Sequence, residues 1–189
     1  EMPRDEVYRL IECYGDAARR AQLAGLDMVE VHCAHGYLVS TFLSERTNHR
    51  TDEFGGCFEN RLRLPRLIVE NIRRKTGGIM PILCRINASD ELDGGQSVQD
   101  AAAVAAYLEQ ECGVDAIHVS RAVHLRDEFM WAPGQFHGGF SAPLVEEINP
   151  QNPYLDSIIR GINMDAIRSR SLKIILDPMY GVSKTSLQT

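Results

Sequence analysis

One phrase occurs twice in the chain and limits what it can fold into. Gly25-Leu26-Asp27-Met28-Val29-Glu30-Val31 and Gly113-Val114-Asp115-Ala116-Ile117-His118-Val119 share one order: glycine, an apolar residue, aspartate, then apolar and polar residues in alternation. Glycine there supplies the left-handed conformation that ends a helix. A period of two marks the strand that follows. Helices and strands alternating across such short junctions require parallel strands and right-handed crossovers. An α/β barrel and an open doubly wound sheet both satisfy this. No Gly-x-Gly-x-x-Gly follows the first strand, which weakens the dinucleotide-binding form of the open sheet.

The rest of the chain fills in that alternation. Val7, Leu10, Ile11, Tyr14, Ala17, Ala18 and Ala21 recur at helical spacing, with Gly25 closing the helix, and a strand is predicted over Met28–His32. Gly36–Leu43 reads as a short helical turn and Glu45–Gly56 as a polar loop. Phe58, Leu62, Leu67, Ile68 and Ile72 predict a second helix ending near Gly77-Gly78, which Pro65 must kink or restart. Pro81–Asn87 is a nearly continuous apolar strand broken only by Arg85, as suits a parallel sheet with a helix-covered face. Ser97 opens a third helix with Asp100 as capping-box partner, Gly113 closes it, and Ala116–Ser120 is the third strand. Arg121–Gly139 is a long loop carrying Trp131, Phe136 and His137, and Ser141–Ile148 starts another helix. Asn149-Pro150-Gln151-Asn152-Pro153 breaks the pattern and sets a boundary. Beyond it a helix is predicted over Tyr154–Ile167 and a strand over Lys173–Leu176, followed by a turn over Asp177–Gly181.

Composition narrows the function classes. The chain has 189 residues, 44% apolar and 24% charged, with a formal charge of −6. An acidic balance without a basic block argues against nonspecific binding to nucleic acid or anionic membrane. No apolar run approaches the roughly 20 residues that span a bilayer, and no basic-then-apolar leader opens the chain. Five scattered cysteines without a Cys-x-x-Cys pair fit a reducing compartment and predict neither disulfides nor a metal centre. The expected location is cytoplasmic.

Chemistry concentrates between Val29 and Arg61. A short strand runs into His32, His35 and Tyr37, and in a (β/α) barrel functional groups collect at strand C-termini. Arg85 with Asn87, and Ser120, lie at the ends of the other two strands. His32 and His35, three apart where a strand gives way to a turn, can converge on one oxygen. Taken without the residues around them, His32 reads first as a hydrogen-bonded core histidine and Tyr37 as a packing residue. Arg85 is a charge inside a buried strand, costly unless paired, and Glu30 is the candidate partner. Arg50, Asp52, Asn60 and Arg61 read as residues that knit the loop to the body, and His118, between Ile117 and Val119, as structural.

Residues 1–149 resemble the old yellow enzyme family of FMN-dependent ene-reductases and NADH:flavin oxidoreductases, nearest the branch with 2-enoate and dienoyl-CoA reductases. Carrying the resemblance are Ala17-Ala18-Arg19-Arg20-Ala21, Val29-Glu30-Val31-His32, Ala34-His35-Gly36-Tyr37-Leu38, Phe42-Leu43-Ser44, Asn48-x-Arg50-Thr51-Asp52-x-Phe54-Gly55-Gly56 and Glu59-Asn60-Arg61-x-Arg63. It implies that His32 and His35 polarise the carbonyl of an α,β-unsaturated substrate while Tyr37 protonates its α-carbon. It implies further that Arg85 faces the N1–C2 carbonyl edge of FMN, with NAD(P)H as reductant and a small enoate or enone as substrate. No metal is expected. Cys33 stands where the family usually has a small residue, and Pro65 interrupts a helix the family builds without it.

A complete barrel needs about 250 residues, with 200 near the floor. The expected fold is therefore α/β, a partial (β/α)8 TIM barrel holding roughly the fourth to sixth βα units. The missing strands would supply other flavin contacts and the phosphate site. Residues 150–153 are the expected linker. In residues 154–189, Tyr154-Leu155-x-x-Ile158 and Leu172–Val182 resemble the phosphoglucomutase/phosphomannomutase family, so the tail has the look of a phosphohexomutase-like fragment of different origin. The alternatives to an ene-reductase fragment are a catalytically silent chimera or interaction module, and then a phosphohexomutase fragment. Open sheet edges would be liable to associate with other chains, including copies of this one.

Overall fold

Both copies of the glycine–aspartate phrase turn a helix into a strand, through Gly25 at φ 83° and Gly113 at φ 64°. The computed structural model describes residues 1–126, Phe129 and 142–148. Trp131, Phe136, His137, the boundary at 150–153 and the whole 154–189 segment lie outside the described residues. The elements are α1 (Arg4–Leu23), β1 (Val29–Cys33), α2 (Leu38–Leu43), α3 (Phe58–Arg61), α4 (Arg63–Thr76), β2 (Ile82–Asn87), α5 (Val98–Gln110), β3 (Ala116–Ser120) and α6 (Ala142–Ile148). Strands β1, β2 and β3 form a parallel sheet in sequence order.

Local chemistry accounts for the boundaries. Ser97 accepts the Asp100 amide while Asp100 accepts the Ser97 amide, the reciprocal capping box expected from the sequence. The stretch predicted as one helix from Phe58 is two, because α3 stops at Leu62 and α4 begins at Arg63. Pro65 sits in the first turn of α4, where its missing N–H would have had no partner, so it restarts the helix without kinking it. Gly77 closes α4 at φ 72°, after Arg73, Arg74 and Lys75 in the last turn.

Asp115 gives the repeated phrase a physical role. Its carboxylate accepts the Ile82 N–H at 2.9 Å and the Arg73 guanidinium at 3.1 Å, and its own N–H donates to Ile82 O at 2.9 Å. The aspartate entering β3 thus fastens the start of the preceding strand, β2.

The sheet has two unlike faces. Val31, Cys33, Ile82, Cys84 and Ile86 are buried with Val7, Ile11, Ile68, Ile72, Val104 and Leu108 of the helices in one core. Each such aliphatic side chain stabilises the fold by roughly 1.5–3 kcal/mol. The alternate residues Glu30, His32, Leu83, Arg85, Asn87, Ala116, His118 and Ser120 point to the opposite face. All five cysteines are free thiols, with Cys33, Cys84 and Cys112 buried. Burial pushes the Cys112 thiol up to about 12. Among the described residues no helix is long and apolar enough to cross a membrane.

Helices α1 and α4 touch at Gly15. A Cβ there would come within 1.8 Å of Asn71 Oδ1 and 2.9 Å of Lys75 Cδ. Asn71 is buried, and its Nδ2 is engaged by the Glu12 carboxylate. Gly15→Ala should therefore destabilise the protein by about 1–3 kcal/mol in urea unfolding, overriding the helix-propensity gain of about 1 kcal/mol.

Candidate functional site

The C-terminal ends of the three parallel strands meet at a ring cluster. His32 belongs to β1, and His35, just past its end, has φ 66°, a left-handed conformation unusual outside glycine. Gly36 follows at φ 73°, where a Cβ would come within 2.8 Å of His124 Nδ1. The turn is clamped from β2 and from the loop that follows β3. His35 N donates to Asn87 Oδ1 at 3.1 Å, and His35 O accepts the His124 amide at 3.0 Å. Asn87 is in turn fixed by Asp90, whose Oδ1 accepts its Nδ2 at 2.8 Å.

This turn gathers the residues expected from sequence. The His32 and His35 rings lie 5.0 Å apart between centroids, His32 and Tyr37 5.6 Å, and His35 and Tyr37 6.4 Å. His124 stacks on Tyr37 at 5.9 Å with only 19° between the planes. Sequence reasoning missed His124, because it lies 87 residues beyond Tyr37 in a loop without periodicity. Only its place just past the third strand could have drawn attention to it. His35 is buried and its ring Nε2 lies 2.5 Å from Ser120 Oγ, whereas Tyr37 is 49% exposed. Among the described residues the His32 ring nitrogens, His35 Nδ1 and the Tyr37 hydroxyl make no hydrogen bond. The cluster therefore presents free polar atoms beside an accessible phenol.

One layer deeper, His32, Arg85 and His118 stand in register across the sheet. Glu30 joins two of them, with one oxygen 3.1 Å from Arg85 Nε and the other 2.7 Å from His118 Nδ1. Arg85 Nε also lies 3.2 Å from His118 Nδ1. A neutral Nδ1 cannot donate to Glu30 and accept from Arg85 together. The shorter contact and the charges favour Glu30 as the shared acceptor. The pairing of Arg85 with Glu30 expected from sequence is thus present. It uses only Nε, so Arg85 Nη1 and Nη2 have no hydrogen-bond partner among the described residues. His118 joins the polar cluster and is not confined to packing.

Burial is the first cause lowering the pKa of both histidines. For His32 the neighbouring Arg85 adds to it, and His35 is brought down to about 4 by burial, then by His32, Arg85 and His118. Both imidazoles are neutral at neutral pH and each carries one N–H.

The loop residues do the knitting expected of them. Arg50 pairs with Asp52 at 2.5 Å and donates to Met2 O at 2.7 Å, Asn60 donates to Gly55 O at 3.1 Å, and Arg61 to Leu43 O at 3.0 Å. Among the described residues no group of three or more His, Cys, Asp or Glu side chains is placed to hold a metal ion.

Parallel strands joined by helices, with polar groups gathered at the strands' C-terminal ends, define an α/β chain. Residues 1–138 match the model of the NADH:flavin oxidoreductase / NADH oxidase family, and the chain belongs to it. An NADH oxidase of Thermoanaerobacter brockii is 38% identical over 148 residues, covering 78% of this chain and 23% of that protein. An NADPH dehydrogenase of Bacillus subtilis is 38% identical over 151 residues, covering 80% of this chain and 42% of that one. The solved structure of 2-naphthoyl-CoA reductase with 2-naphthoyl-CoA superposes with a TM-score of 0.75 at 29% identity, over 80% of this chain and 23% of that one. The chain spans less than half the length of these relatives.

The lowered His35 value has a definite sign in stability. An unfolded imidazole titrates near 6.5, so between about 6.5 and about 4 the unfolded chain binds more protons and stability rises with pH. The contribution is complete above about 6.5 and is lost as pH falls through about 4. Urea midpoints measured from pH 7 to pH 4 should fall, and His35→Gln should flatten that slope.

Proposed function

We propose that this chain is the central part of an FMN-dependent ene-reductase, one that uses NAD(P)H as reductant and acts on the activated C=C bond of a small enoate or enone. On this reading β1, β2 and β3 are the fourth to sixth strands of an eight-stranded barrel. Asp27 supports it, because it repeats the position of Asp115, which fastens the start of the strand before its own. By the same geometry Asp27 is built to fasten a strand preceding β1. Residues 1–149 form the barrel segment, 150–153 the linker and 154–189 a separate tail, whose phosphohexomutase-like character rests on the Tyr154–Ile158 and Leu172–Val182 residues alone.

The observation that carries the proposal is the cluster of His32, His35 and Tyr37 at the strand ends, with His32 in register beside an arginine that has unused donors. Arg85 Nη1 and Nη2 suit the electron-rich N1–C2 carbonyl edge of an isoalloxazine ring, and the Glu30 contact fixes the guanidinium while leaving those nitrogens available. FMN, when bound, supplies hydride chemistry that no side chain can. The residues here bind and polarise. The neutral imidazoles of His32 and His35 donate hydrogen bonds to the substrate carbonyl oxygen as charge develops on it. The phenol of Tyr37 delivers a proton to the α-carbon. His124, stacked on Tyr37, limits the swing of that ring.

The outer edges of β1 and β3, unpaired among the described residues, favour a second reading in which the chain acts by association, with copies of itself or other chains. Reconstitution with FMN separates the two. The protein should retain flavin absorbance through desalting and lose it with Arg85→Ala. Tyr37→Phe should slow enone reduction about 10²- to 10⁴-fold while leaving flavin reduction by NAD(P)H unchanged. A protein that stays colourless after incubation with FMN overturns the first reading for this chain.

A further inference from the structure

The row of side chains Asn87 and Ser120, in register at the ends of β2 and β3, holds His35 twice. Asn87 Oδ1 accepts the His35 backbone N–H, and Ser120 Oγ meets the His35 ring at Nε2. Ser120 is itself anchored, since its carbonyl accepts the Ala88 N–H at 2.8 Å. We propose that Ser120 is a positioning residue that donates its hydroxyl hydrogen to His35 Nε2 and thereby keeps the ring proton on Nδ1.

Counting hydrogen-bond partners decides the direction. A neutral imidazole has one N–H and one bare nitrogen, and a serine hydroxyl can donate or accept. If Nε2 carried the proton and Ser120 accepted it, the serine hydrogen would have no acceptor among the described residues, and Nδ1 would present only a lone pair. If Ser120 donates, its hydrogen and the Nε2 lone pair are both satisfied, and the one unused group is Nδ1–H. Burial keeps the second proton off the ring, with His35 lowered to about 4, so the two tautomers are the only states that compete near neutral pH.

The consequence for catalysis rests on the proposed ene-reductase reading: an Nδ1–H donates to a carbonyl oxygen, and a bare Nδ1 repels it. The tautomer itself does not depend on that reading and is measured without flavin. Long-range proton–nitrogen NMR on the full chain labelled with ¹⁵N-histidine reports which ring nitrogen carries the proton. The His35 signals are identified by their loss in His35→Gln. The wild type at neutral pH should show a protonated Nδ1 and a bare Nε2. Ser120→Ala should move a large share of the proton to Nε2, and Ser120→Thr, which keeps the hydroxyl, should restore Nδ1–H. A wild-type spectrum with the proton on Nε2 overturns the proposal even if Ser120→Ala does not fold. So does a folded Ser120→Ala that keeps the proton on Nδ1. Failure to take up FMN counts against the ene-reductase reading alone.

Discussion

The hydrogen bond from the His35 backbone N–H to Asn87 Oδ1 supports the arrangement of the whole strand-end face. A histidine at positive φ costs roughly 1–2 kcal/mol against the extended chain, and the turn persists because neighbouring strands over-determine it. Asn87 acts as a template for the turn. Its Oδ1 takes the His35 amide, its Nδ2 goes to Asp90, and its carbonyl accepts from Gln96 Nε2 at 2.6 Å. Asp90 returns the support by accepting the Gln96 N–H at 2.8 Å. The loop from β2 to α5 thus becomes a rigid bracket for a turn that lies 52 residues earlier in the chain.

The polar face of the sheet follows from the same logic. In an ordinary two-layer fold the row Glu30, His32, Arg85 and His118 would be a liability, because charged groups on a covered sheet face must be paired. Here one carboxylate serves two bases, and the guanidinium is held with two donors unspent. The opposite face, with Ile82, Cys84 and Ile86 fully buried, carries the hydrophobic stabilisation. The sheet thus divides into an apolar face that packs on the helices and a polar face that carries the strand-end groups.

Much of this was legible in the residues. The repeated glycine–aspartate phrase specified the junctions, the capping box at Ser97 fixed the start of α5, and the family string marked His32, His35 and Tyr37. Local rules suffice for such features because the interactions span only a few residues. The break between α3 and α4 and the left-handed turn at His35 were less accessible, since a histidine gives no local sign of positive φ. His124 and the tie from Ser120 to His35 were out of reach. They depend on β3 returning beside β2, and no spacing in the chain encodes a contact across 85 residues.

The strand-end site exists only if Asn87 holds the His35 turn firmly. Amide hydrogen exchange reads this directly, because among the described residues the His35 N–H is hydrogen-bonded to one buried side-chain oxygen, Asn87 Oδ1. If the turn is clamped as described, that amide exchanges as slowly as the amides within β1 and β2. Exchange at the rate of the exposed Glu45–Arg46 segment would mean that the rings are not held, and the site described would not exist.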